Sequence, residues 1–447
     1  MNLSALLLLA ASLFVQRVDQ DASRPKQGTY AITNARIETV SDGVLEQGTI
    51  IIEGDRITAL GADVTVPAHA TVIDAGGQHV YPGMIDTGTQ LGLVEIGSVN
   101  ETNDTNEIGD LTPQMDALTA VNPNAVAIPV TRVSGVTTVI SEPSGGLFPG
   151  MAAAINLYGY TPEQMTAGGV RLMVLEFPRK SPPRFSFRSQ DDGDDPEKRY
   201  REAMDKLNEV WDRAELHHRI ASSWEEDPSG KKKPEYVPEM AALRNVIRGD
   251  MPLMIRVNAA QDIEAAIEWV KDRGLEHVVF SGVSEGWRVA DKLAAAGIPV
   301  FAGPVLATPT RNSDRFDKAY ANAGLMSQAG VTVALRSGES ENVRNLPFNA
   351  GFAAAYGMGR EDALRAVTLT AAEVLGIEDD YGSLEVGKKA NLFVATGDPF
   401  EPKTQITALF IDGFNLPITN RQIELYEEFL DRDEGRRAPV PVLPADN

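Results

Sequence analysis

No cysteine occurs in the 447 residues. Disulfides, a thiolate nucleophile, cysteine-ligated zinc and a lipid-modified cysteine anchor are excluded by that absence alone. Histidine is scarce as well: the chain has five, His69, His79, His217, His218 and His277, and none forms a His-x-His pair. His217 and His218 are neighbours on a predicted helix, so their side chains diverge by about 100° and share no face. Catalytic zinc therefore lacks its usual nitrogen and sulfur donors, which leaves only a carboxylate site for a hard cation such as magnesium. Positive charge is also short, with 41 Lys+Arg against 63 Asp+Glu and a net charge of -22, a balance that repels nucleic acid and anionic lipid alike. One apolar run stands out, Ala5 to Val15, which has the length of a signal-peptide core and is too short to cross a bilayer. No Lys or Arg precedes it, yet residues 1–24 read best as a signal peptide and the chain as exported and periplasmic. No other stretch approaches ~20 apolar residues, so no membrane span is expected in the mature chain.

A chain of this length is expected to hold one large core and one smaller one, because single cores stop growing near roughly 250–300 residues. Hydrophobic residues at 43% and charged residues at 23% describe an ordinary globular protein. Residues 29–80 read as short strands with turns: Tyr30-Ala31-Ile32, Arg36 to Val40, Thr49 to Ile52, then Glu53-Gly54-Asp55 before Arg56 to Leu60. Residues 382–420 have the same character in Ala390 to Ala395 and Ala408 to Ile411. Both ends are expected to share one composite antiparallel β-sandwich.

Residues 81–381 follow another grammar, in which short apolar runs alternate with amphipathic helices, as parallel strands covered by helices require. The strand candidates are Thr137 to Ile140, Leu172 to Leu175, Leu253 to Ile255, Val278 to Phe280, Ile298 to Phe301 and Val331 to Leu335. Helices are predicted over Asp262 to Lys271, with Asp262 as N-cap, and over Gly286 to Ala296, ended by Gly297. The class is α/β, and the length favours a (β/α)8 TIM-like barrel over a doubly wound open sheet. A polar insertion at 180–250, with Asp191 to Asp195 and Lys231-Lys232-Lys233, reads as a solvated face with a helix around Arg199 to Ile220. Residues 421–447 read as one helix and a tail through Pro439, Pro441 and Pro444.

Pro82-Gly83-Met84-Ile85-Asp86 opens the barrel segment, and Gly382-Ser383-Leu384-Glu385-Val386-Gly387-Lys388-Lys389-Ala390-Asn391-Leu392 follows it late in the chain. Together with Asn34-Ala35-Arg36-Ile37, Ile52 to Ile57 and the helix Glu361 to Thr368, these blocks make the chain resemble the amidohydrolase superfamily, its imidazolonepropionase-like branch above all. The resemblance covers residues 29–415. It implies hydrolysis of C–N bonds, other than ordinary peptide bonds, by one or two divalent metals such as zinc at the C-terminal mouth of the barrel. It also implies a His-x-His pair after the opening block, where this chain reads Asp86-Thr87-Gly88-Thr89-Gln90. The family's fifth-strand histidine falls at Arg256 or its neighbours, the sixth-strand histidine within Phe280-Ser281-Gly282, and the eighth-strand aspartate within Leu335-Arg336-Ser337-Gly338. The expectation is a hydrolase scaffold with its metal-ligand positions substituted and no cofactor.

Polar residues at strand ends line the mouth of such a barrel, and here they are Gln90, Glu95, Glu176, Arg256, Asn258, Ser281, Arg336, Ser337 and Glu339. Arg256 and Arg336 either plug the space through ion pairs to Glu176 or Glu339, or form a clamp for a carboxylate or phosphate. Gln90, Arg256, Asn258, Arg336, Ser337 and Glu339 are the ligand-binding candidates, and Glu176 is the candidate catalytic base. Ser337 has no histidine partner, which excludes a serine triad. Three functions fit. One is a pseudoenzyme that binds a ligand or serves as a subunit beside a metal-competent relative. The second is an active hydrolase of cyclic amides, small peptides or N-acyl amino acids with a rebuilt, metal-independent mouth. The third is an exported solute-binding or envelope assembly protein. The expected partners are a small-molecule amide or carboxylate, such a relative, and further copies of the chain.

Overall fold

The computed structural model describes residues 24–180 and 195–430; the expected signal peptide, the acidic run Asp191 to Asp194 and the tail after Leu430 lie outside them. β1 (Gly28–Glu38) and β2 (Val44–Gly54) pair antiparallel, with Ile32 opposite Ile50. Gly54, at φ +61°, turns the chain into β3 (Arg56–Gly61), which extends the ladder. β4 (Thr71–Asp74) and β5 (His79–Pro82) then run parallel to β1, so the sheet is mixed instead of purely antiparallel. Residues 62–70 carry the chain over before β4, and such a crossover produces parallel pairing where a tight hairpin would not.

The barrel strands follow in the same order in space as in sequence: β6 (Met84–Thr89), β7 (Val136–Ser141), β8 (Gly150–Asn156), β9 (Thr166–Glu176), β10 (Leu253–Val257), β11 (Val278–Gly282), β12 (Val300–Ala302) and β13 (Val333–Leu335). β8 runs antiparallel to both its neighbours, and the other ladders are parallel. Individual bonds draw β13 and β6 together into a nearly closed barrel. Thr87 Oγ1 donates to Leu335 O at 2.9 Å, Gly338 N to Gly88 O at 3.0 Å and Gln90 N to Glu339 O at 3.0 Å. The chain then returns to the first sheet as β14 (Leu392–Ala395), β15 (Ile406–Ile411) and β16 (Phe414–Leu416), with Leu392 opposite Pro82 of β5. Ile32, Ile50, Ile52, Leu392, Val394 and Phe410 share one apolar cluster, so strands from both ends build a single sheet, as expected.

Side chains alternate along each strand. Ile140, Val174, Met254, Val279, Phe301 and Ala334 form an interior cluster with Ala371 and Leu375 of the helix Leu369–Leu375. Their neighbours Leu253, Ile255, Phe280, Val300 and Leu335 belong instead to the larger cluster under the helices. Each such side chain contributes about 1.5–3 kcal/mol by leaving water. The insertion is polar on one side only: its helix Pro196–Glu226 buries Leu207, Val210 and Trp211, and Trp211 meets Trp269 edge-on at 5.2 Å.

Two expected helices start or break differently. Asp262 is not an N-cap, because the helix Ala260–Arg273 begins two residues before it. The amide of Ala260 is satisfied from another loop by Glu285 Oε2 at 3.0 Å, which lets the helix extend, while Asp262 Oδ1 accepts from Lys180 N at 3.1 Å. The Gly286 to Ala296 segment is a 3-10 turn followed by the helix Ala290–Ala296, and Gly297 ends it at φ +66°.

Candidate functional site

The site follows from carrying the strand alternation one step beyond the interior cluster. Glu142 lies two residues past Ile140, Glu176 past Val174, Arg256 past Met254, Ser281 past Val279 and Arg336 past Ala334. All five therefore enter one layer at the C-terminal mouth. Glycine occupies the equivalent place after Phe301, at Gly303, and Gly88 faces the layer from the β6 strand. A Cβ on Gly88 would stand 2.6 Å from Cζ of Arg336, and one on Gly303 would stand 2.1 Å from its carbonyl oxygen. Gly88 thus leaves room for the Arg336 guanidinium, and Gly303 lets the Arg336 backbone pass close by.

Arg336 lays its fork on Glu142: Nη2 donates to Oε1, Nη1 lies 3.4 Å from Oε2, and Nη1 also donates to Ser281 Oγ. Arg256 shares the same carboxylate, with Nη2 3.2 Å from Glu142 Oε1. It donates to Pro143 O at 2.6 Å and pairs through Nη1 with Glu176. Arg179 approaches Glu176 from the rim at 3.6 Å. The Glu142 side chain is 3% exposed and that of Arg336 10%, so this is a buried ionic layer and not a surface pair. Burial works against the charge of Arg256, but Glu142 and Glu176 outweigh it and hold its pKa above the ordinary value.

Asp86 lies against this layer, fully buried, accepting from Ser337 N at 3.0 Å and from Gly88 N at 3.1 Å. It thereby ties the end of β6 to the segment after β13. Burial pushes its pKa up to about 7, against the opposite pull of the Ser337 and Gly88 donors and of Arg336.

The charged layer floors a cleft of about 420 Å³ that Gln90, Arg179, Asn258 and Ser284 also line. Of the residues expected at the mouth, Gln90, Glu176, Arg256, Asn258, Ser281 and Arg336 are brought together there. Gln90 Nε2 donates to Ser144 Oγ at 3.2 Å, and Asn258 Oδ1 accepts from Ser284 Oγ at 2.8 Å. Ser337, Glu339 and Glu95 are not part of the lining. Ser337 follows Arg336 directly, so it turns the other way, onto Asp86. Glu339 comes after Gly338, where φ of +68° swings the chain outward, and its carbonyl accepts from Gln90 N. Arg336 consequently pairs with Glu142 and not with Glu339. Glu95 Oε1 accepts from Asn122 Nδ2 at 2.8 Å. Glu142 is absent from the expected residues, although the strand-end rule that marked Glu176 marks it equally, two positions beyond Ile140. Arg179 and Ser284 sit on loops, where no periodicity points to them.

The histidines lie elsewhere. His79 Nδ1 is 3.1 Å from Tyr81 OH, His217 Nε2 is 3.4 Å from Glu235 O, and His218 Nδ1 is 3.3 Å from Arg244 Nε. His69 and His277 are exposed, His277 at the start of β11 and so at the end of the barrel opposite the cleft. Among the described residues no group of three or more His, Asp or Glu side chains is arranged to hold a metal ion.

The Amidohydrolase family profile matches residues 257–420, a stretch that leaves Asp86 to Gln90 outside it. The chain is 26% identical over 427 residues to imidazolonepropionase from Shouchella clausii (strain KSM-K16), covering 87% of each protein. It is 25% identical over 381 residues to amidohydrolase tasK of Hapsidospora irregularis, covering 74% of this chain but 37% of that much longer protein. The fold is that of a solved amidohydrolase from Thermotoga maritima MSB8, with a TM-score of 0.74 and 24% identity over 88% of this chain and 100% of the other.

Proposed function

We propose that this chain is a distant member of the amidohydrolase superfamily, to which its likeness to imidazolonepropionase and the family match over residues 257–420 point, and that it keeps the scaffold and small-molecule cleft of that superfamily without the metal centre. It works as an exported binding or partner subunit, a pseudoenzyme on a hydrolase fold. The observation that carries the reading is Glu142, a buried carboxylate held by two guanidiniums at the level of the barrel mouth. The donor set does not fit a divalent ion. Both converging carboxylates already neutralise arginines, the arginine charges repel a cation, and no imidazole faces the cleft. Glu176 as a metal-free base gains no support either, since Oε1 is engaged by Arg256 and Arg179 stands near Oε2. What the cleft still offers to a small amide or carboxylate is the exposed face of Arg179 with the amides of Gln90 and Asn258 and the hydroxyl of Ser284.

The test is turnover of N-acyl amino acids, dipeptides and hydantoin-like rings, each with and without added zinc or manganese, beside calorimetric titration of the same compounds. Binding without turnover is the expected result. Metal-dependent hydrolysis at rates ordinary for enzymes, above about 1 per second, would overturn the reading. Affinity capture from the native cell envelope should recover a metal-competent amidohydrolase relative, and recovery of none would count against the subunit role.

A further inference from the structure

Away from the mouth, the helix Leu346–Ala353 runs on into Ala354–Met358 and breaks at Tyr356 and Gly357, where φ is +113°. Phe352 and Tyr356 stand side by side at this break, their rings 4° from parallel and 6.3 Å apart, with Tyr320 5.2 Å from each. Phe348, Phe400 and Pro402 join Phe352 and Tyr356 around an open groove of about 510 Å³, which Glu401 and the ion pair of Arg360 with Asp398 also line. Phe352 is 41% exposed, a large aromatic surface left uncovered among the described residues.

We infer that this groove is the docking site of the chain's own proline-containing segment, Ala438-Pro439-Val440-Pro441-Val442-Leu443-Pro444. Three observations select that occupant. Aromatic-walled grooves take segments of polyproline II geometry, since proline fixes that geometry in advance and presents its ring to an aromatic face. Arg436-Arg437 precede the segment and match Glu401 on a groove whose lining cation, Arg360, is neutralised by Asp398. The chain also leaves the described residues on the correct flank. The helix Arg421–Leu430 abuts the helix Ala127–Arg132, which abuts the turn Val343–Asn345 that leads directly into Leu346–Ala353. Each of these steps is about one helix diameter, ~10 Å, so the groove lies on the order of 30 Å from the helix Arg421–Leu430. At about 3.1 Å per residue, the stretch from 431 to 440 spans that distance.

The absence of cysteine makes the test clean. The full chain carrying Ala355→Cys beside the groove and Val442→Cys in the tail is treated with a short bis-maleimide, and a control carries Ala295→Cys on another face with the same tail cysteine. Cross-linking within one chain is expected at least ~10-fold faster for the first pair, since docking raises the local concentration of the tail. Adding Phe352→Ser, or Pro439→Ser with Pro441→Ser, should reduce it to the control rate, while an unchanged melting temperature shows that the fold is intact. Equal rates for the two pairs would overturn the inference. So would cross-links found chiefly between chains, which would make the occupant the tail of a second copy.

Discussion

Replacing Glu142 by alanine removes the one carboxylate that both mouth arginines share. Arg256 keeps Glu176 and the Pro143 carbonyl, but Arg336 is left with the Ser281 hydroxyl, its charge buried and with no directly paired carboxylate, Asp86 acting on it only beyond ion-pair distance. Breaking a buried pair from one side costs about 3–5 kcal/mol, because the remaining charge has lost both water and partner. Glu142→Ala should therefore lower the folding equilibrium by about two to three and a half powers of ten, read from urea unfolding followed by circular dichroism. The double variant Glu142→Leu with Arg336→Met removes both charges and fills the volume with apolar atoms. It should recover most of the loss, and in the cycle closed by the single variants Glu142→Leu and Arg336→Met the coupling should be several kcal/mol. If Glu142→Ala stays within about 1 kcal/mol of the parent, the layer is solvated and the reasoning for a buried, mutually neutralised layer under the cleft is refuted.

Asp86 gives a pH dependence with a definite sign. Its folded pKa of about 7 stands above an unfolded value near 3.9, so between these the native state binds more protons and stability falls as pH rises, by on the order of 4 kcal/mol in all, then levels off. Asp86→Asn should lack this slope, so that it appears as the fall with pH in the difference between parent and variant urea stabilities measured from about pH 4.5 to 7.5. An unchanged slope would remove Asp86 as its source. Gly88→Ala places a methyl 2.6 Å from the Arg336 guanidinium and should cost about 1–3 kcal/mol. The same substitution made on Arg336→Ala should cost far less, and equal costs in both backgrounds would show that the clash is not with Arg336.

The barrel is legible in the sequence wherever its strands are built from β-branched and large apolar residues, as in Val278-Val279-Phe280 or Val331 to Leu335. β8 is not, because Met151-Ala152-Ala153-Ala154-Ile155 is mostly alanine, which has little strand preference and is buried here only through its neighbours. The parallel pairing of β4 and β5 with β1 is equally hidden, since a crossover loop sets it and no local residue does. At the mouth, Arg256 and Glu176 can be matched from strand ends alone because their strands are neighbours. Glu142 and Arg336 follow β7 and β13, which lie near the two ends of the strand order, and only closure of the sheet, β13 against β6, brings them together. Asp262 has the residue type of a cap, but Glu285, remote in sequence, fills that place first.

The most direct measurement is the metal content of the full chain, expressed in medium supplemented with zinc and manganese and purified without chelator, together with its melting temperature before and after EDTA. A mouth filled by Arg256, Arg336 and Glu142 predicts far less than one equivalent of any transition metal and a melting temperature that EDTA leaves unchanged. One tightly held equivalent of zinc, manganese or iron, lost with EDTA together with stability, would contradict it.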